Sequence, residues 1–267
     1  MSLDPTAADL LSAVRASPRA VAAHDRAAWV ELFGTDAVVN DPVGSRPHVG
    51  RSAIERFYDT FIGPNTITFQ VDHDFISPPT VVRDLMIRIA MSTGATVAVP
   101  MHLRYDLAEA DGTWKITRLA AHWELAAMVV QLLRTGAPGL GAALKLGPQL
   151  VVNQGLGGAA GMMRALFGVG RAGKRAANRI LSAAADTDIS RVRRLIDHNT
   201  VIEMPAGTPV SVEEFTNRVR NMRWDKMIAA GRTVSVSVEL GDAHGVVFIE
   251  FATGTTRMNT IRVFTDA

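Results

Sequence analysis

The sequence predicts an α+β protein made of two tandem units, each with helices packed on a curved antiparallel sheet. Three observations carry this expectation. Helical signals open each half and alternating strands follow them, the order of an α+β layer arrangement. Leu32–Gly44 (LFGTDAVVNDPVG) aligns without a gap on Leu195–Gly207 (LIDHNTVIEMPAG). Between the halves the composition changes: residues 124–180 hold seven Lys or Arg against one acid, whereas the whole chain has 28 against 26. The expected units are residues 1–125, a Gly-rich helical connector over 126–185, and a degenerate second unit over 186–267.

In the first unit, Asp25 reads as the N-cap of a helix through Trp29, Leu32 and Phe33. AVVNDPVG reads as a short strand running into a turn, and Ser52 with Glu55 forms a capping box for the helix AIERFYDTF. Four alternating runs follow: TITFQVDHDF, VVRDLMIRIAMST, ATVAVPMHLRYD and TWKITRLAAHWEL. Gly, Pro or Asp punctuates them, as in an antiparallel meander. Val97, Val99, Met101, Leu103 and Tyr105 share one face of the third run, and His102 and Arg104 share the other; His102 and His122 alternate away from the cone and are expected at a surface or interface. In the second unit Asp188 caps the corresponding helix, and EEFTNRVRN is the next helical stretch. TVSVSVEL, GVVFIEFAT and TRMNTIRVFT are its strands. This half ends where the first continues into its last strand, which predicts an open edge covered by the connector or a second subunit. A homo-oligomer is therefore expected.

Several function classes are set aside by composition. With 267 residues, 48% hydrophobic and 20% charged, the chain supports a sizeable core. The absence of cysteine excludes disulfides and thiolate chemistry. The first twenty residues carry no signal-peptide run, so the expected location is intracellular and cytoplasmic. The basic cluster Arg171, Lys174, Arg175, Arg179 has only Phe167 as an aromatic neighbour, so nucleic acid is not an expected partner. The seven histidines show no metal-ligand spacing, and no metal is expected. Gly155–Ala160 satisfies a relaxed GxGxxA pattern but lacks a βαβ unit and a following acid, so no cofactor is expected. Gly147–Met163 is too short and broken to span a membrane. Met128, Val129, Leu132 and Leu133, then Met162, Met163, Leu166 and Phe167, form apolar stripes with basic neighbours. Residues 126–180 could accordingly make peripheral membrane contact, feed a lipophilic ligand inward, or pack between the halves.

The sharpest chemical feature is Asn40-Asp41-Pro42-Val43-Gly44. Proline biases Asp41 toward extended backbone, so its carboxylate projects from a strand end. Facing an apolar space, such a carboxylate is a workable general base, because burial raises its pKa. A turn-initiating Asp before Pro is the purely structural alternative.

The run ELFGTDAVVNDPVGSRPHVGRSAIERFY resembles the active-site region of ketosteroid isomerases, within the nuclear transport factor two-like (SnoaL-like) superfamily. The resemblance rests on Asp41-Pro42-Val43-Gly44, Gly50-Arg51 and Phe57-Tyr58 and covers residues 17–125. It implies a cone-shaped, cystatin-like α+β barrel open at one end to an apolar small-molecule ligand. It also implies Asp41 as the base for proton transfer at carbon on a sterol- or polyketide-like substrate, with Tyr58 as hydrogen-bond donor. The family's oxyanion positions fall on Ser17 and Met101. With Phe33, Leu119 and Trp123, these are the expected substrate contacts. Met204 occupies the place of the base in the second unit. Ser17, Met101 and Met204 favour the other reading, a non-catalytic lipophilic-ligand-binding or assembly protein of this fold. A hydrolase resembling limonene epoxide hydrolase would require an Asp-Arg-Asp arrangement deep in the cone, which the inward strand positions are not expected to supply.

Overall fold

The computed structural model describes residues 5–141, 166 and 168–266. The first unit opens with α1 (Pro5–Ala22) and α2 (Arg26–Glu31), followed by β1 (Phe33–Asn40), β2 (His48–Val49) and α3 (Arg51–Phe57). A π-helical turn, Tyr58–Ile62, leads into the meander β3 (Asn65–Ser77), β4 (Thr80–Met91), β5 (Thr96–Ala110) and β6 (Thr113–His122). After α4 (Leu125–Arg134), the second unit contains α5 (Gly170–Ala185), α6 (Ile189–Leu195), β7 (Val201–Glu203), α7 (Val212–Arg218), β8 (Arg223–Ala230), β9 (Thr233–Leu240), β10 (Ala243–Phe251) and β11 (Met258–Thr265).

Local chemistry explains the repeated starts. Asp25 caps α2 by accepting from the Ala28 N–H, and Asp188 caps α6 by accepting from the Arg191 N–H. His24 and Thr187, one residue before these caps, both have positive φ, at 52° and 57°. At α3 the expected capping box is not formed: Gly50 is the N-cap at φ 77°, without a side-chain cap. Glu55 instead pairs with Arg51 and Arg26.

The strands form a six-stranded sheet of order β2-β1-β6-β5-β4-β3 and a five-stranded sheet of order β7-β11-β10-β9-β8. Neighbours are antiparallel except β1–β6 and β7–β11, which are parallel. The second order is therefore the first without β2. Sequence reading expected the second sheet to lack its last strand. The strand it overlooked was β8, where an irregularity between Trp224 and Met227 interrupts the alternation. The strand without a counterpart is thus the two-residue β2, and at its place an isolated bridge from Glu203 to Pro209 borders β7. The expected connector is also divided between the units: Met128 and Leu132 of α4 join the first core, and Ala177, Ile180, Leu181, Ala183 and Ala184 of α5 join the second. The Gly155–Ala160 motif, Met162, Met163 and Phe167 lie outside the described residues.

Each sheet places one face on its own helices and the other on the opposite sheet. Val97, Val99, Met101, Leu103 and Tyr105 all enter the first core, as their alternation predicts. Phe75 and Val82 from the first sheet meet Val246, Phe248 and Phe264 from the second in a separate buried cluster. His122 presents its ring to Phe248 at 4.9 Å between centroids. Beside these residues is a buried polar set. Ser237 Oγ donates to Asp84 Oδ2 at 2.6 Å, while its oxygen lies 2.9 Å from His102 Nε2. With the hydroxyl proton committed to Asp84, Ser237 accepts from Nε2–H. His102 Nδ1 is then the acceptor for Ser235 Oγ, 2.7 Å away. Lys226 closes the set as a hydrogen-bonded ion pair with Asp84.

Desolvation lowers the pKa of His102 and moves that of His122 well below the ordinary value; His48 is lowered to about 4, first by burial and then by Arg56 and Arg46. These imidazoles stay neutral in the fold and take protons on unfolding below about pH 6.5. Their contribution is thus complete above that pH and declines as the pH falls through it. The urea midpoint is expected to change little from pH 7.5 to about 6.5 and to fall from there to pH 5. Removing Lys226 leaves Asp84 with an uncompensated buried charge, so Lys226→Ala is expected to destabilise by about 3 kcal/mol in urea unfolding at neutral pH.

Candidate functional site

Asp41 stands where β1 leaves the sheet. The turn after it is fixed by two backbone hydrogen bonds, Val43 N–H to Ala121 O at 2.8 Å and Ser45 N–H to Pro42 O at 3.0 Å. Gly44 completes the turn at φ 100°, a conformation that favours glycine. The carboxylate faces a cavity of about 140 Å³ inside the first unit. Phe57, Ile67, Ile87, Ile89, Val99 and Met101 make most of its wall apolar, and the π-helical turn contributes Thr60, Phe61 and Ile62. Trp123 lies against Asp41, and its indole Nε1–H donates to Oδ1 at 2.6 Å.

Burial in this apolar space raises the Asp41 pKa to about 6, against the opposing effect of the Trp123 hydrogen bond. A carboxylate poised near neutrality in a mostly apolar cavity can accept a proton from a weakly acidic C–H group and return it to another position. Thr60, Asn65, Ser92 and Thr93 are the polar lining residues besides Asp41 and Trp123. Thr60 Oγ1 donates to Arg56 O and the Asn65 amide donates to Phe61 O, so both are engaged. Thr93 Oγ1 is buried without a partner among the described residues.

Among the residues expected from sequence, Asp41, Met101 and Trp123 line the cavity, and Ser17, Phe33, Tyr58 and Leu119 do not. Ser17 accepts from Trp29 Nε1–H at 3.1 Å, deep beneath α1. Phe33 packs on Trp29 with ring centroids 4.6 Å apart. Tyr58 is buried against the same tryptophan at 5.5 Å, and its hydroxyl has no hydrogen-bond partner among the described residues. Leu119 is core. The inward strand positions also supply a buried pair that sequence reading did not expect: Arg83 Nε donates to Asp74 Oδ1 at 2.7 Å, with Arg15 of α1 on the same carboxylate. Neither partner lines the cavity.

The wall is completed from beyond the meander by Met128 and Leu132 of α4. Residues 96–101 of β5 run past the end of its pairing with β6, which begins at His102↔His122. Gln131 takes the vacant place beside Ala98, its Oε1 accepting from the backbone N–H at 3.1 Å and its Nε2 donating to the carbonyl at 2.8 Å. The sequence marked Met128 and Leu132 as an apolar stripe; only the fold shows which space they face. A second hollow, of about 270 Å³, lies between the units and has a different character. Asp72, Asp84, Asp225, Lys226 and Glu239 border it, with His73 stacked on His244 at 4.1 Å.

An open cone with a helix-lined apolar interior and one carboxylate at its wall defines the class: an α+β barrel suited to a lipophilic small molecule. Residues 14–119 match the SnoaL-like domain, and through this first unit the chain belongs to that family. No curated protein matches it. Among solved structures, the chain is 29% identical to the Δ5-3-ketosteroid isomerase from Mycobacterium sp., with 45% of this chain and 96% of that one covered and a TM-score of 0.41. A Mycobacterium tuberculosis protein in complex with estradiol-17β-hemisuccinate is 30% identical, with 44% and 95% covered and a TM-score of 0.41. A computationally designed 17-OHP binder is 26% identical, with 44% and 95% covered and the same TM-score of 0.41.

A raised folded-state pKa means that ionised Asp41 costs the fold stability. That cost is absent below the ordinary value of 3.8 and complete once the pH has risen through about 6. Asp41→Asn is expected to stabilise the protein by about 2 kcal/mol at pH 8, with the gain vanishing toward pH 4. Urea unfolding of both proteins at the two pH values checks this.

Proposed function

We propose that the first unit catalyses proton transfer at carbon on a sterol- or polyketide-like ketone, with Asp41 as the base. The observation that carries the reading is a carboxylate with a pKa near 6 on the wall of an open, mainly apolar cavity. Trp123 orients one oxygen and leaves the other to meet substrate. A C–H next to a ketone gains acidity as negative charge moves to the ketone oxygen. The remaining requirement is therefore a hydrogen-bond donor to that oxygen. Tyr58 is the donor this reading proposes. Among the described residues its hydroxyl has no hydrogen-bond partner, and it stands directly after the cavity-lining Phe57 and two positions before Thr60.

The second unit is proposed as a degenerate copy of the same fold. Its capped helix, parallel strand pairing and Pro-containing turn recur at the same interval along the chain, with Met204 in place of Asp41. Its apolar side chains pack into a core of their own.

One observation favours a second reading, in which the cone binds a lipophilic ligand without transforming it. Met101 stands where the family resemblance implies an acidic donor, and Tyr58 is off the cavity lining. The two readings separate in one assay. Wild type is expected to convert a Δ5-3-ketosteroid to its conjugated isomer, and Asp41→Asn to lose that activity while still binding steroid. Steroid binding without wild-type turnover supports the binding reading instead.

A further inference from the structure

The turn that carries Asp41 and the helix that completes its cavity are both held from the second unit, by one hairpin. Gly231, at the β8–β9 turn, approaches Val43 and Gly44 so closely that a Cβ built on it would lie 2.7 Å from Gly44 Cα. Gly231 O also accepts from Val169 N–H at 2.9 Å, tying in the segment that enters α5. Two residues earlier on the hairpin, Ala229 N–H donates to Glu124 Oε1 at 3.2 Å. The same oxygen pairs with Lys174 Nζ of α5 at 2.7 Å.

Glu124 is placed to transmit that restraint. It directly follows Trp123, whose indole holds Asp41, and it is the N-cap residue of α4, whose Met128 and Leu132 wall the cavity. Glu124 itself does not line the cavity. Its partners Ala229 and Lys174 belong to the second unit, outside residues 14–119 that match the family.

We propose that the second unit serves as a positioning element for the cavity: through Lys174 and Ala229 it fixes Glu124, and Glu124 holds Trp123 on Asp41 and α4 over the ligand space. Glu124 is a positioning residue and touches no substrate. The inference rests on the proposed reading of the cavity only for its consequence on turnover, since the restraint is measurable without any reaction.

The test uses the full chain and the indole N–H signals of its four tryptophans, with Trp123 assigned by Trp123→Phe. In wild type the Trp123 signal is expected to titrate with Asp41, with a midpoint of about 6, and to exchange slowly with solvent. In Glu124→Ala, exchange at Trp123 is expected to quicken roughly tenfold, and the midpoint to fall by about one pH unit as water reaches the carboxylate. The other three indoles stay unchanged. Glu124→Gln keeps an acceptor for Ala229 but loses the charge facing Lys174, and is expected to fall between. A folded Glu124→Ala with wild-type exchange and midpoint at Trp123 overturns the proposal. If that variant does not fold, Lys174→Met decides: an unaltered Trp123 signal overturns the proposal, and a smaller shift in the same direction supports it. Absence of isomerase activity in wild type would reject the catalytic reading and leave these outcomes intact.

Discussion

The packing of one sheet on the other is the constraint to which the remaining structure conforms. A sheet whose two faces are both apolar must be covered on both, and here the helices cover one face while the second unit covers the other. Phe75 and Val82 meet Val246, Phe248 and Phe264 across the seam. At its side, Asp84, His102, Ser235, Ser237 and Lys226 satisfy one another's hydrogen bonds. Buried polar groups are tolerable only when paired, so this set fixes the register of the two sheets more tightly than apolar contact alone. Arg104 adds a cation–π contact with Phe264 at 5.8 Å.

That fixed seam has a chemical consequence. With the outer face of the first sheet covered by protein, its inner face can leave a void without the whole sheet being loosely supported. Asp41 occupies the boundary between void and core, close enough to apolar side chains to be desolvated and held, among the described residues, by the indole N–H of Trp123. Additional hydrogen bonds would stabilise the carboxylate and return its pKa toward the ordinary range. The sparseness of the contacts around Asp41 is thus part of what makes it basic.

Much of this was legible in the sequence, and what was not has identifiable causes. The meander of the first unit follows directly from alternation and from Gly, Pro and Asp punctuation. His102 and His122 were readable as facing away from the cone, and they meet the second unit. Strand β8 was obscured because Asp225 and Lys226 resemble loop residues; Lys226 is charged because it reaches Asp84 across the seam. Ser52 and Glu55 matched a capping pattern, but the positive φ of Gly50 starts the helix earlier. Asp41 was recognisable from its strand-end position and Met101 from its strand face, whereas Trp123 was named by the family resemblance. The orientation of the Tyr58 hydroxyl was not, since it depends on packing against Trp29 in a wide π-helical turn. Gln131 carried no signal at all: its role exists only because β5 outruns β6.

The contrast between the two interiors has an implication for how such a site can be tolerated. A space of about 140 Å³ inside the first unit forgoes packing contacts that a filled core would make. A ligand recovers part of that loss when it binds, but the empty protein must survive alone. Here the vulnerable half is fused to a partner that keeps a packed core and a methionine where the first keeps a carboxylate. The chain thus separates endurance from accommodation, assigning each to its own half of one molecule.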